Sequence, residues 1–317
     1  MDHQIKHRVL HRGRIKQIPI YLGKFFRMFI LKNDWLVLPM SALIAALVAT
    51  VVGGAMFSTM EGALMGAMAV TCVCLWNGCF NSIQAVCRER GIVKREHRSG
   101  MHVSAYILSH MIYQAFLCLM QTVITILVFG ALGVDLPTKG FITPWFRLDY
   151  GITIFLTTYA ADMLSLMISC IVRDTTTAMT VMPLLLIFEL VFSGIMFTLD
   201  EGLEKFSKLT VAKWGMTALC SQADYNSLPL VQVWNQLVKF RNYEVSGFTP
   251  INEVVQYIQD NGLVNDFCLE AGANSQNLRY TLSSSNIYKC WLMLMLFAFA
   301  FAAISMLFLK RIDKDKR

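Results

Sequence analysis

Six stretches of this chain, 35–57, 61–83, 103–133, 150–172, 176–198 and 287–309, are apolar with few charges. Each meets or exceeds the ~20 residues that a helix needs to cross a bilayer core. The third is long enough to tilt or to protrude beyond the membrane. No strand-like alternation persists along them, so a β-barrel is not expected. The fold class that follows is all-α integral membrane, with six transmembrane helices. Composition agrees: of 317 residues 56% are hydrophobic and only 15% charged, well short of the ~25% charged residues of soluble domains.

The formal net charge of +7 raises the question of nucleic acid, and its distribution answers it. Lys6, Arg8, Arg12, Arg14, Lys16, Lys24, Arg27 and Lys32 precede the first span. Arg88, Arg90, Lys94, Arg95 and Arg98 lie between the second and third, Arg173 between the fourth and fifth, and a last group follows the sixth. Together these make 19 of the 28 Lys and Arg on one side, whereas the short loops opposite hold only Lys139 and Arg147. The positive-inside rule then places both termini in the cytoplasm of a multi-pass protein of the plasma (cytoplasmic) membrane. Neither a basic folded domain nor an aromatic platform for nucleic acid is visible. The N-terminus is polar and basic for more than thirty residues, so a cleavable signal peptide is not expected.

The resulting order is a basic, amphipathic, interfacial N-terminal helix in 1–34 and spans one to five in 35–198, with a cytoplasmic segment at 84–102. An exoplasmic region follows at 199–286, then the sixth span at 287–310 and a tail at 311–317. The 199–286 region holds nine Asp and Glu against six Lys and Arg. Helical patterning at 228–239 and 251–258 suggests a small subdomain, because so long a loop needs structure of its own. The alternative is a floppy insertion. Cys220 and Cys268 are the two cysteines on that side, where oxidation is open to them. They read either as a disulfide or as two reduced buried thiols.

There is no G-x-x-x-x-G-K-[ST] phosphate loop, no H-E-x-x-H and no G-x-S-x-G, and no catalytic constellation is assigned. His3, His7 and His11 share a spacing of four. They lack a companion ligand and alternate with arginines, which reads as an interfacial helix rather than a metal site. Asp162, Glu189 and Lys289 fall in or at the edges of spans, where an unpaired charge is costly. Each is either a functional group or an interhelical hydrogen-bonding group, and Lys289, near an outer end, suits snorkelling. Asn77, Asn81 and Ser82 suit helix–helix hydrogen bonding or a polar path.

The segment from Arg88 to Gly100 carries Glu89-Arg90, Arg95-Glu96 and Gly100 in the pattern E-R-x-x-x-x-R-E-x-x-x-G, with Tyr106 following. This resembles the signature after the second span of G-subfamily ABC transporters. Asn77-Gly78-Cys79-Phe80-Asn81-Ser82-Ile83 is similar to the second span of multidrug members. Phe192-Ser193-Gly194-Ile195-Met196-Phe197-Thr198-Leu199 is similar to the end of the fifth span, and Trp214-Gly215-Met216-Thr217-Ala218-Leu219 to the outer-loop Y-G-F-x-A-L. The resemblance covers about residues 17–310 in order. It departs in the spacing from Phe80 to Glu89, three residues shorter than in the multidrug pattern, and in having no ATPase domain ahead of the spans.

The resemblance implies the membrane subunit of an ABC exporter for apolar or amphipathic substrates, working by alternating access in a dimer with a second permease half. ATP and Mg would sit on a partner ATPase, separate or removed, with no cofactor on this chain. It places Asn77, Phe80 and Glu189 on the substrate path and makes Ile195 and Met196 an apolar plug. Glu89, Arg90, Arg95, Glu96 and Gly100 become the coupling segment to the ATPase. The duller reading of that segment, a solvated basic loop, explains its arginines but not Glu89 and Glu96. Two other classes stay open: an ion-coupled carrier using Asp162 and Glu189 as proton sites, and a membrane-anchored assembly or receptor protein. In intact cells a tag at either terminus should be shielded from outside reagents and a tag near Asn274 reachable; a reachable N-terminus would overturn the charge argument.

Overall fold

The computed structural model describes residues 13–32, 34–194, 201–244 and 249–312, with backbone only at 201 and 203. Among these residues the chain is helical, with a single isolated antiparallel bridge between Lys139 and Trp145. Helix α1 (Arg14–Leu31) precedes a short 3-10 turn and α2 (Val37–Val52); α3 (Met60–Ser82) leads through another such turn into α4 (Arg90–Arg98). Then come α5 (Val103–Ala131), α6 (Phe146–Ile171) and α7 (Thr175–Phe192). Five shorter helices follow, α8 (Glu201–Ser207), α9 (Val211–Gln222), α10 (Val231–Lys239), α11 (Pro250–Asp260) and α12 (Val264–Asn274), and then α13 (Ser284–Leu309). Six of the helical runs are long and apolar enough to cross a membrane, matching the six apolar stretches of the sequence.

Local chemistry sets their ends. The Thr59 side chain accepts from Gly62 N at the start of α3, and the Asp174 side chain does the same for Thr177 N at α7, each satisfying an otherwise orphaned amide. The Thr177 hydrogen bonds hold the Asp174 carboxyl below the usual carboxylate range. The third span closes at Gly133 (φ 71°), which supplies the left-handed residue that ends many helices. The fourth begins four residues earlier than hydropathy suggests, because Asp149 in its first turn is buried. Its carboxylate accepts from the amides of Phe141, Ile142 and Thr143 at 2.9, 2.9 and 3.0 Å, tying down the preceding loop.

Helix α6 is the axis of the bundle and packs along α3 and α13. The approach of α3 is close: a Cβ at Gly78 would lie 2.4 Å from the Thr158 carbonyl oxygen and 2.7 Å from the Asp162 amide. Three apolar clusters stack along the bundle. At the end carrying α1 and α4, the basic end, Phe25, Tyr106, Leu166 and Ile312 pack together. Leu75, Cys79, Ala161 and Leu294 fill the middle, and Met56, Phe129, Tyr150 and Leu219 the far end.

The 199–286 region divides. Helices α10, α11 and α12 gather around a small core of their own, Trp234, Val255, Ile258 and Cys268. Helix α9 instead belongs to the bundle. All of its residues except Trp214 are buried, and Val211 and Ala212 pack with Ala160 and Ala161, midway along α6. At Gly215 a Cβ would meet the Thr157 hydroxyl at 2.8 Å. Twelve residues span ~18 Å, little more than half of a ~30 Å apolar layer, so α9 is too short to cross one and is a half-helix packed against α3, α6 and α13.

That division bears on the two cysteines. Cys220 and Cys268 are both free and buried, one in the far-end cluster of the bundle and the other in the core of α10–α12, which is the arrangement of the thiol reading. Gly78→Ala should lower stability by about 1–3 kcal/mol through overpacking against backbone, whereas Gly91→Ala, in open space on α4, should not. Equal melting temperatures of the two purified variants would show that α3 and α6 do not touch at this point.

Candidate coupling and transport site

At the basic end, α1 lies against α5 and reaches the start of α4. Lys24 Nζ is 3.0 Å from a Glu89 carboxylate oxygen and 3.6 Å from Glu96, and Lys32 Nζ is 3.6 Å from the other Glu89 oxygen. Arg88 pairs with Asp34 at 3.5 Å. Glu89 is only 6% exposed, so its charge depends on these partners. The Tyr21 hydroxyl bonds Glu96; burial and that carboxylate push it up to about 12. Two residues expected in the coupling segment thus meet on one lysine of α1.

The other three have different surroundings. The Arg90 guanidinium donates to the carbonyls of Cys170 (3.0 Å) and Val172 (2.8 Å), satisfying acceptors left open where α6 ends. Ser169 Oγ accepts from the amides of Val86 and Cys87, which fastens the turn before α4 to the same helix end. Gly100 (φ 104°) turns the chain from α4 into α5, and its carbonyl accepts from Gln17 Nε2. The Gln17 carbonyl oxygen in turn accepts from His102 N. Arg95 is exposed, and with Arg88, Arg90, Lys94, Arg98 and Arg173 it lines a cleft of about 850 Å³. Glu89 is the one acidic residue lining that cleft among the described residues, so the cleft favours an acidic surface.

Gln17 and Lys24 are not singled out in the sequence, where Lys24 reads only as a topology charge. The available signal was spacing: a step of seven puts these residues on one face of α1, with Tyr21 between them.

Deeper in the bundle, Asn77 donates to Ser41 Oγ at 3.1 Å. It is buried between α2 and α3, where within this chain it holds two helices together. Asn81 and Gln121 exchange two hydrogen bonds through their carboxamides, 3.0 and 3.1 Å, and Asn81 also reaches Asp162 Oδ2 at 3.4 Å. The Cys118 thiol is 3.3 Å from the same oxygen. Phe80 is half-exposed and stacks on Trp76 with centroids 5.2 Å apart.

Glu189 has a specific structural duty. Its Oε2 accepts from Ala212 N at 3.0 Å, so the carboxylate caps the N-terminus of α9, where four amides lack intrahelical partners. Arg279 closes the other side of this join, donating to the Ser193 carbonyl at 3.1 Å and to Thr217 Oγ1 at 3.0 Å. Lys289 is exposed, 6.0 Å from the Trp214 ring, as a snorkelling group would be. Ile195 and Met196 lie outside the described residues, as do His3, His7 and His11. Among the described residues no cluster of His, Cys, Asp and Glu has metal-binding geometry.

A double-mutant cycle tests the junction. Lys24→Met and Glu89→Gln should each destabilise the purified protein, and the double variant by about 1–3 kcal/mol less than their sum. Additive losses would mean that the two charges do not interact.

A sequence model of the ABC-2 type transporter family matches residues 25–221 of the chain. The chain is also 28% identical over 149 residues to an ABC transporter ATP-binding/permease protein of Mycobacterium tuberculosis. That alignment covers 45% of this chain and 17% of the relative, so the chain spans only a small part of that protein's length.

Proposed function

The chain belongs to the ABC-2 type transporter family, and from that premise we propose that it is the membrane-spanning half of an ATP-driven exporter. Its basic end faces the cytoplasm, and a partner ATPase docks on the cleft beside α4, bringing ATP and Mg with it. A second permease half completes the pathway, and an apolar or amphipathic substrate passes through it by alternating access. Phe80, which presents a half-exposed ring stacked on Trp76, stays on the substrate side of this proposal.

The observation that carries this reading is how α4 is attached. A nine-residue helix lined by arginines is tied to α1 through Lys24 and to the end of α6 through Arg90. A push on α4 is therefore delivered to the central helix of the bundle. A solvated loop kept basic only for topology would need neither Glu89 nor Glu96. The similarity to an ATP-binding/permease protein supports an ATPase partner here.

An ion-coupled carrier remains the second reading, because Asp162 Oδ1 is buried without a hydrogen-bond partner. Glu189 supports it less, being engaged at α9. The test begins with mild purification of the tagged chain from its native membrane. The exporter reading expects an ATPase bearing a G-x-x-x-x-G-K-[ST] loop to co-purify, with hydrolysis stimulated by the chain. Glu96→Ala should reduce that stimulation several-fold without loss of membrane insertion, since a charge at a moving contact affects coupling more than folding. Efflux that follows a proton gradient after ATP depletion, with no ATPase attached, would sink the exporter and leave the carrier.

A further inference from the structure

Between α1, α3 and α5, at the level where the basic end meets the apolar layer, lies a cavity of about 260 Å³. Its apolar wall includes Phe25, Phe80, Leu117 and Met179. Its polar wall includes Asn81, His110 and Gln114. His110 and Gln114 are 3% and 1% exposed, yet neither ring nitrogen of His110 nor the carbonyl oxygen of Gln114 has a hydrogen-bond partner. Buried polar atoms are nearly always paired, so three unpaired ones on a single cavity wall mark hydrogen-bonding capacity held for something that enters. Packing alone would favour apolar side chains at both positions. His110 is fixed in place, its ring 4.0 Å from Phe25 and 4.8 Å from Tyr106.

The charges around the cavity narrow the ligand. Asp34, Arg88 and Glu89 line it, and each is already ion-paired: Asp34 with Arg88, and Glu89 with Lys24 and Lys32. A charged ligand would have to break these pairs or remain uncompensated. A neutral head with hydroxyl groups can both donate to and accept from His110 and Gln114 without disturbing them. The volume is near the lower end of small-molecule sites, enough for a head and the start of a chain. Phe80 and Trp76, exposed beside it, offer a surface for the remainder.

We propose that this intra-chain cavity binds an uncharged amphiphile, its hydroxyl-bearing head on His110 and Gln114 and its apolar part against Phe25, Leu117 and Phe80. Arg88 and Glu89 sit in the same wall, so a bound molecule touches the segment that leads into α4. Occupancy is thereby placed where the coupling segment can sense it. That last step rests on the exporter reading; the binding site does not.

The experiment uses the full chain in phosphatidylcholine nanodiscs and a monoacylglycerol with a photoactivatable diazirine in its acyl chain. Saturable labelling is expected in α1, α3 and α5, near Phe25, Phe80 and Leu117, and excess unlabelled monoacylglycerol should suppress it. Oleate and octadecylamine, the anionic and cationic counterparts, should compete at least tenfold less well. His110→Phe with Gln114→Leu should weaken binding about tenfold, the value of two neutral hydrogen bonds. Leu117→Trp, which fills the cavity, should abolish the saturable component. Should the double variant fail to fold, Gln114→Leu alone and Leu117→Trp carry the same test. Labelling that does not saturate, that spreads over the outward residues of α13, or that survives these substitutions overturns the proposal. So does equal competition by either charged amphiphile. Binding requires neither ATP nor a transport direction, so these results stand or fall separately from the exporter reading.

Discussion

Backbone amides and carbonyls that enter an apolar layer must find partners inside the protein, and much of this structure follows from that demand. Continuous helices meet it alone. The chain departs from continuous helices at α9, which starts at mid-depth, and there the protein supplies the missing partner from α7: the Glu189 carboxylate accepts from Ala212 N. Arg279 serves the neighbouring carbonyl of Ser193. At the opposite end of the bundle, Arg90 and Ser169 perform the same service for the end of α6 and the turn before α4. Of the ionisable side chains that stand out in the sequence, Glu189 and Arg90 complete helix ends in this way.

These same repairs join elements that would otherwise be independent. Arg90 and Ser169 tie the α4 region to the end of α6. Helix α9 is tied to α6 and α13 through Thr153, whose hydroxyl donates to Gln222 and accepts from Trp291 Nε1 at 2.8 Å. The central helix therefore has polar fasteners at both of its ends, with close-packed Gly78 and Gly215 contacts between them.

The ion pairs around Glu89 differ in kind from the caps. They connect side chains of separate helices, and Lys24 is shared between Glu89 and Glu96 at 3.0 and 3.6 Å. A shared cation permits exchange between two acceptors at little cost, because either pairing keeps the buried carboxylate compensated. The junction is thus firm in composition and adjustable in geometry. Beside it lies the cavity with His110 and Gln114, whose wall also includes Arg88 and Glu89.

By itself the sequence determined the six spans, because a run of about twenty apolar residues has one economical fate near a bilayer. It also determined that Glu89 and Glu96 were out of place in a basic loop, and that Glu189 and Asp162 needed partners. Only the tertiary structure decided who those partners are. Spacing set Lys24 on one face of α1, but that it pairs with Glu89 and Glu96 was visible only once the helices were in place. Asn77 suited helix binding or path lining with equal reason, and only the structure shows its bond to Ser41, 3.1 Å away. Residues 211–222 carry Lys213, Thr217 and Gln222 and are too short to span, so nothing in their pattern marks a membrane segment. Their place in the bundle, and with it the separation of Cys220 from Cys268, arises because α3, α6 and α13 shelter the half-helix and Glu189 caps it. Hydropathy and periodicity report on one segment at a time, whereas shelter and capping belong to several segments at once.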